Sequence, residues 1–196
     1  MIVEIWFEFA STYSYLTVSR AEALLRRHGI EFQWRPFLLG PTFRDKGWET
    51  SPFILDKVKG AYMWRDMARR AEMYDLAFVQ PNPWPMNPIR AARVMTAALD
   101  ELWCGDFARG VFAAQFARSE DISSAEALAR VIEDCGADPE HWLSRAQDDD
   151  TKLKLRALTE EARTKGIFGA PSFVVGDELF WGDDRLEDAI GWAAKR

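Results

Sequence analysis

The stretch Gly166-Ile-Phe-Gly-Ala-Pro-Ser-Phe-Val-Val-Gly-Asp-Glu-Leu-Phe-Trp-Gly-Asp-Asp-Arg185 decides the fold. A helix that ends at Gly166 gives way to Ala170-Pro171. Two short apolar runs then meet at Gly176-Asp177, and a last helix closes the chain. Strand, Gly-Asp turn, strand is a hairpin signal. An X-Pro bond that must lead straight into that hairpin predicts a cis peptide, since cis bonds occur almost only before proline. The block therefore reads as a proline loop opening a β-β-α unit.

Working outward to the N-terminus, Ile2-Val-Glu-Ile-Trp-Phe-Glu-Phe9 is rich in β-branched and aromatic residues, broken only by Glu4 and Glu8, and predicts a largely buried strand. Ala10-Ser-Thr-Tyr-Ser-Tyr15 follows, then a helix with Leu16, Ala21, Leu24 and Leu25 inward that ends at Gly29. Glu31-Phe-Gln-Trp-Arg-Pro36 predicts a second strand. A β-α-β unit paired with a proline-led β-β-α unit is the arrangement of an α/β, thioredoxin-like fold. In that fold the turn after the first strand carries Cys-x-x-Cys, and here the position holds Ser11-Thr-Tyr-Ser14. The two cysteines, Cys104 and Cys135, lie far downstream and not at motif spacing, so dithiol chemistry at the helix start is excluded.

Composition narrows the function classes. With 48% hydrophobic and 29% charged residues among 196, the chain carries enough apolar side chains for a full core. A net charge of −6 gives no basic footprint for nucleic acid or an anionic membrane. No apolar run approaches the ~18 residues that a membrane helix needs. The first residues lack a basic stretch and include Glu4 and Glu8, unlike a secretory leader. Two cysteines outside any pairing pattern fit a reducing compartment, so a cytoplasmic location is expected.

Between Leu39 and about Asp148 the pattern is helical. Ser51-Pro52 predicts a helix running through Tyr62, Trp64 and Met67, with proline at its first position. Pro81-Asn-Pro-Trp-Pro-Met-Asn-Pro88 is a loop dense in helix breakers. Further helices are expected over Ile89–Leu102 and Phe107–Arg118, from a capping box of Ser123 with Glu126, and from Asp138-Pro139. Asp148-Asp-Asp150 heads the helix leading back to Gly166, where the dipole favours acidic residues. The organisation expected is a thioredoxin-like domain of residues 1–42 and 149–196 with an inserted all-helical domain of residues 43–148.

Ser11 stands where a helix begins, and free backbone N–H groups there stabilise an anion. That location lowers thiol pKa when the residue is cysteine. With serine the electropositive site persists without a sulfur of its own, open to the thiol of a ligand, whose thiolate the Ser11 hydroxyl would stabilise. A plain N-cap serine fits the same position. His28 and His141, the two histidines, are distant from Ser11 in the chain, which argues against a Ser-His hydrolase.

Phe9-Ala-Ser-Thr-Tyr-Ser-Tyr-Leu16 resembles the F-x-S-P-Y-S-Y-L segment of the 2-hydroxychromene-2-carboxylate isomerases and their relatives, the kappa-class glutathione transferases. Gly166–Arg185 is similar to their G-V-F-G-V-P-T-F-V-V-x-x-E-L-F-W-G-x-D-R block, and Arg35-Pro-Phe-Leu-Leu-Gly40 to their R-P-x-L-L-G. The resemblance implies a glutathione cofactor, no metal, and a small aromatic carboxylate as substrate. It also implies interconversion of 2-hydroxychromene-2-carboxylate with trans-o-hydroxybenzylidenepyruvate, and a homodimer. Position by position it makes Ser11 the catalytic residue that holds the sulfur. It gives Ala170, before Pro171, a strand-like contact with the cysteinyl part of glutathione, and Asp183 and Asp184 the γ-glutamyl end. Trp84 and Asn87 match the family's F-P-x-N loop, and Trp48, with Phe43 and Trp64, is a candidate for an aromatic pocket. The family's G-N is here Gly47-Trp48, so one expected substrate contact is missing. Lys57, Lys59, Arg65 and Arg69 either meet the substrate carboxylate or form a solvated basic face. The same motifs admit a kappa-like transferase or peroxidase. A non-catalytic DsbA-like binding module and an oxidoreductase using Cys104 or Cys135 are the remaining alternatives.

Overall fold

A computed structural model describes residues 1–195. Strand β1 (Val3–Phe7) leads into α1 (Thr12–Arg27), and the chain returns as β2 (Phe32–Pro36), parallel to β1 with Val3 opposite Phe32 and Phe7 opposite Pro36. Gly29 leaves α1 at φ 66°, a conformation that glycine adopts without steric cost. At the other end β3 (Ser172–Val175) runs antiparallel to β1, and β4 (Glu178–Trp181) closes the hairpin and hands over to α10 (Leu186–Ala194). The sheet order is β2-β1-β3-β4. This is the thioredoxin-like fold expected, with a mixed sheet.

Between the two halves come α2 (Leu39–Asp45), α3 (Pro52–Leu55), α4 (Lys57–Met73), α5 (Ile89–Ala97), α6 (Cys104–Arg118), α7 (Ala125–Asp134), α8 (Pro139–Arg145) and α9 (Asp149–Thr164). Alternation along β1 sorts the core onto two faces. Val3, Ile5 and Phe7 join Leu16, Ala21 and Leu25 of α1 and Leu186, Ala189 and Ile190 of α10. Trp6, with Phe37 and Val174, packs on Leu158 and Ala162 of α9. The inserted helices share the first cluster: Phe107 and Phe112 of α6 meet Phe9 at ring-centroid distances of 6.3 and 5.1 Å. The boundary expected after residue 42 falls inside α2.

Two local expectations are corrected. The helix expected from Pro52 through Met67 is broken at Asp56, whose carboxylate accepts the Val58 and Lys59 N–H groups at 3.0 Å and so starts α4 afresh. A short acidic side chain offers the backbone this alternative partner. Gly60 lets α3 fold back on α4, since a Cβ there would collide with the Phe53 carbonyl. The cap of α7 is Ser124, not Ser123: Ser124 Oγ accepts the Ala127 N–H at 3.2 Å, while Ser123 binds Asp121.

Candidate active site

The end of β1 and the start of α1 make a tight turn in which Ser11 donates its N–H to the Glu8 carbonyl at 3.0 Å. Ser11 is the N-cap of α1, its Oγ accepting the Ser14 N–H at 3.3 Å. That cap leaves the hydroxyl proton free, and the hydroxyl donates it across the fold to the Ala170 carbonyl at 2.9 Å. The Ala170–Pro171 bond is cis. Ser11 and the proline loop, 159 residues apart in sequence, thus meet directly. Among the described residues no acceptor is recorded for the N–H groups of Thr12 and Tyr13 in the first turn of α1, nor for that of Ala170. A half-buried hydroxyl, a helix start and an unclaimed strand-like amide face one another at the head of the sheet.

The turn is held from below and above. Glu8 is buried, and its carboxylate accepts the Ala10 N–H at 3.0 Å. Burial pushes this carboxyl up from 4.5 to about 7, opposed only by backbone hydrogen bonds from Ala10 and Ser11, with no ionisable side chain acting on it. From the inserted helices, Trp84 donates its indole N–H to the Ala10 carbonyl at 3.1 Å. Trp64 stands edge-on to Trp84 with centroids 5.0 Å apart. The peptides Asn82–Pro83 and Trp84–Pro85 are also cis. Glu8 is a residue that sequence reasoning passed over as a polar break. Its sequence signal, a carboxylate in an apolar run with no basic residue beside it, is shared with Glu4 and does not tell the two apart.

The second wall is the turn after β4. Gly182 donates its N–H to the Pro171 carbonyl at 3.0 Å, with φ at 113°, a backbone only glycine takes readily. The two aspartates that follow have different surroundings. Asp184 is exposed, its carboxylate shared with Arg185 at 3.2 Å. Asp183 is 2% exposed, and its carboxylate is fully engaged. Thr17 donates to it at 2.9 Å, Arg20 at 3.1 Å and Tyr74 at 3.1 Å, and the Arg70 guanidinium lies 3.7 Å away. Arg20 also stacks over the Tyr74 ring at 4.3 Å and pairs with Glu187. The Asp183 carboxylate is thus spent inside the fold, where it ties α1, α4 and the start of α10 together, while that of Asp184 is open to solvent.

The weaker candidates separate as well. Asn87 is exposed, and its side-chain oxygen accepts the Ile89 N–H at the start of α5 at 3.0 Å. No contact in the structure brings it to Ser11. Trp48 packs on Phe43, with ring centroids 6.0 Å apart. Of the basic residues on α4, Lys59 sits over the Phe53 ring at 5.6 Å, and Phe53 neighbours Tyr13 of the first turn of α1 at 6.4 Å. Arg69 is paired with Asp66, and Lys57 and Arg65 are exposed. Burial, with nearby carboxylates, pushes both Cys104 and Cys135 up to about 11, which makes them poor nucleophiles at neutral pH. Among the described residues no cluster of His, Cys, Asp and Glu could hold a metal, and no helix is long and apolar enough to cross a membrane.

The chain is 29% identical to a 2-hydroxychromene-2-carboxylate isomerase of Pseudomonas putida, over 97% of this chain and 95% of that protein. It is 24% identical to glutathione S-transferase kappa 1 of Rattus norvegicus, over 95% of this chain and 88% of that one. The solved structure of a 2-hydroxychromene-2-carboxylate isomerase superposes with a TM-score of 0.89 at 25% identity, covering 100% of this chain and 97% of the other. The DSBA-like thioredoxin domain family matches residues 2–189, and the chain belongs to that family.

Proposed function

We propose that the protein is a glutathione-dependent isomerase of 2-hydroxychromene-2-carboxylate-like aromatic acids. The observation that carries the reading is the Ser11 hydroxyl, 2.9 Å from the Ala170 carbonyl at the start of α1, in a turn that holds no cysteine. The residues present fit glutathione. Ala170 offers a free N–H and a carbonyl to the cysteinyl segment, as an added strand would use them. Asp184 is exposed and would take the γ-glutamyl ammonium, and the backbone N–H groups at the start of the Asp183–Arg185 turn would take the matching carboxylate.

Bound there, glutathione would supply a thiolate that adds reversibly to an enone-type acid and leaves after rotation about the former double bond. The chain's own part is to hold and orient. Ser11 would turn its hydroxyl proton from the Ala170 carbonyl to the sulfur, and the first-turn N–H groups of α1 would favour negative charge beside it. Trp84 fixes the Ala10 carbonyl, which keeps the Ser11 turn in place, and Trp64 packs edge-on against Trp84. Neither Cys104 nor Cys135 takes part.

Ser11→Ala loses one hydrogen bond to a charged group, roughly 1.5–3 kcal/mol, which lowers turnover about 10- to 150-fold. Steady-state assay of the interconversion at saturating glutathione checks this, and unchanged turnover would remove Ser11 from the role. A transferase of the kappa type, which the rat relative brings into view, would leave a stable glutathione conjugate. Product analysis of the same reaction mixture finds none on the isomerase reading.

A further inference from the structure

Beside the proline loop two large aromatic side chains stand in water. Phe168 is 43% and Trp181 53% exposed, their ring centroids 4.8 Å apart. Both are tied to the thiol site through the chain itself. Phe168 and Gly169 precede Ala170, and Trp181 precedes Gly182, whose N–H binds the Pro171 carbonyl. Trp181 lies flush on Gly169, where any Cβ would collide with its indole nitrogen. Over Phe168 reaches Lys46, at the end of α2: its Nζ is 5.6 Å from the Phe168 centroid and 5.2 Å from that of Trp48. Lys46 has no carboxylate partner among the described residues, although its neighbour Asp45 is engaged by Arg163. Two ring faces attract the ammonium and limit where it can sit, while its three donors stay unspent.

Exposed aromatic surface and an unneutralised cation, side by side in a chain of net charge −6, are complementary to one kind of small molecule. We propose that Lys46, Trp48, Phe168 and Trp181 form the substrate subsite, with the ring of an aromatic acid on Phe168 and Trp181 and its carboxylate on Lys46. The identity of the acid rests on the isomerase reading. The subsite rests on the contacts alone. It assigns the carboxylate to a residue outside α4, and it places the aromatic pocket on the Gly169 side of the proline loop.

The test is titration of trans-cinnamate and of trans-cinnamamide into wild-type protein and Lys46→Met, read by calorimetry and by the indole N–H resonances of Trp48 and Trp181. Methionine keeps the apolar stem and removes the charge. The acid should bind wild type at least about tenfold more tightly than the amide, shift both indole signals, and lose that preference in Lys46→Met. Equal affinity of the two proteins for cinnamate, unmoved indole signals, or no binding of cinnamate at all would overturn the subsite. So would cinnamate binding that survives Trp181→Ala while self-association, followed by sedimentation, is lost; that result assigns the face to a second copy of the chain. Glutathione titrated into the same samples separates the two claims: acid binding without glutathione binding leaves the subsite standing and removes the isomerase reading.

Discussion

Asp183→Ala lowers the unfolding free energy by about 3 kcal/mol or more, within the ~3–5 kcal/mol seen when one partner of a buried ion pair is removed. The carboxylate is 2% exposed and is the shared acceptor for Thr17, Arg20 and Tyr74, with Arg70 close by. Its removal leaves the Thr17 hydroxyl and the Tyr74 phenol without an acceptor and strips Arg20 of the inner half of its neutralisation. Arg20 keeps Glu187 on the outside, which holds the loss toward the lower end of the range. Asp183→Asn, which retains an acceptor oxygen, costs less. Asp184→Ala, one residue on, changes stability within about 0.5 kcal/mol because its side chain is solvated. Urea unfolding of the three variants at one pH measures all of this. An Asp183→Ala protein as stable as wild type would contradict the role assigned to the buried carboxylate.

The second large effect is a pH dependence centred on Glu8. Its folded value, about 7, lies above its ordinary value of 4.5 because burial disfavours the charged form. Below about pH 4.5 the folded and unfolded chains both hold the proton, and the carboxyl costs nothing extra. Between about 4.5 and 7 the unfolded chain gives up its proton while the folded chain keeps it, so this group's contribution to stability falls as pH rises. Above about 7 both states are ionised, and the full penalty of roughly 3 kcal/mol stands. Glu8→Gln keeps an oxygen for the Ala10 N–H and carries no charge. The stability of Glu8→Gln relative to wild type therefore rises by roughly 3 kcal/mol between pH 4.5 and pH 8. Urea unfolding of the two proteins at pH 4.5, 6 and 8 checks the slope, and a difference constant across that range would contradict it. A carboxyl that destabilises the fold at neutral pH sits three residues before Ser11, and such perturbed groups concentrate at functional sites.

The frame was legible in the sequence because its signals are local. Gly166, Pro171 and Gly176 punctuate one hairpin, and Ile2–Phe9 and Glu31–Pro36 each announce a strand without reference to the rest of the chain. The meeting of Ser11 with the proline loop followed from that frame. The different surroundings of Asp183 and Asp184 did not. Neighbours in sequence, they are told apart by Arg20 and Tyr74, which lie 163 and 109 residues away and arrive only with the packing of α1 and α4. Glu8 was opaque for a related reason. Alternation along β1 says which way its residues point, but the strand ends at Phe7, and the burial of Glu8 depends on how the turn to Ser11 closes. The break at Asp56 shows the same limit at short range: propensity continued the helix, and one carboxylate with two backbone partners ended it.

The central claim is that this head of the sheet binds a thiol ligand along Ser11, Ala170 and Asp184. Calorimetric titration of reduced glutathione into wild-type protein and into Asp184→Ala tests it most directly. The account predicts saturable binding to wild type that weakens about tenfold or more in Asp184→Ala, the loss of one charge-assisted hydrogen bond. No saturable heat in wild type, with ligand carried well into the millimolar range, would contradict it.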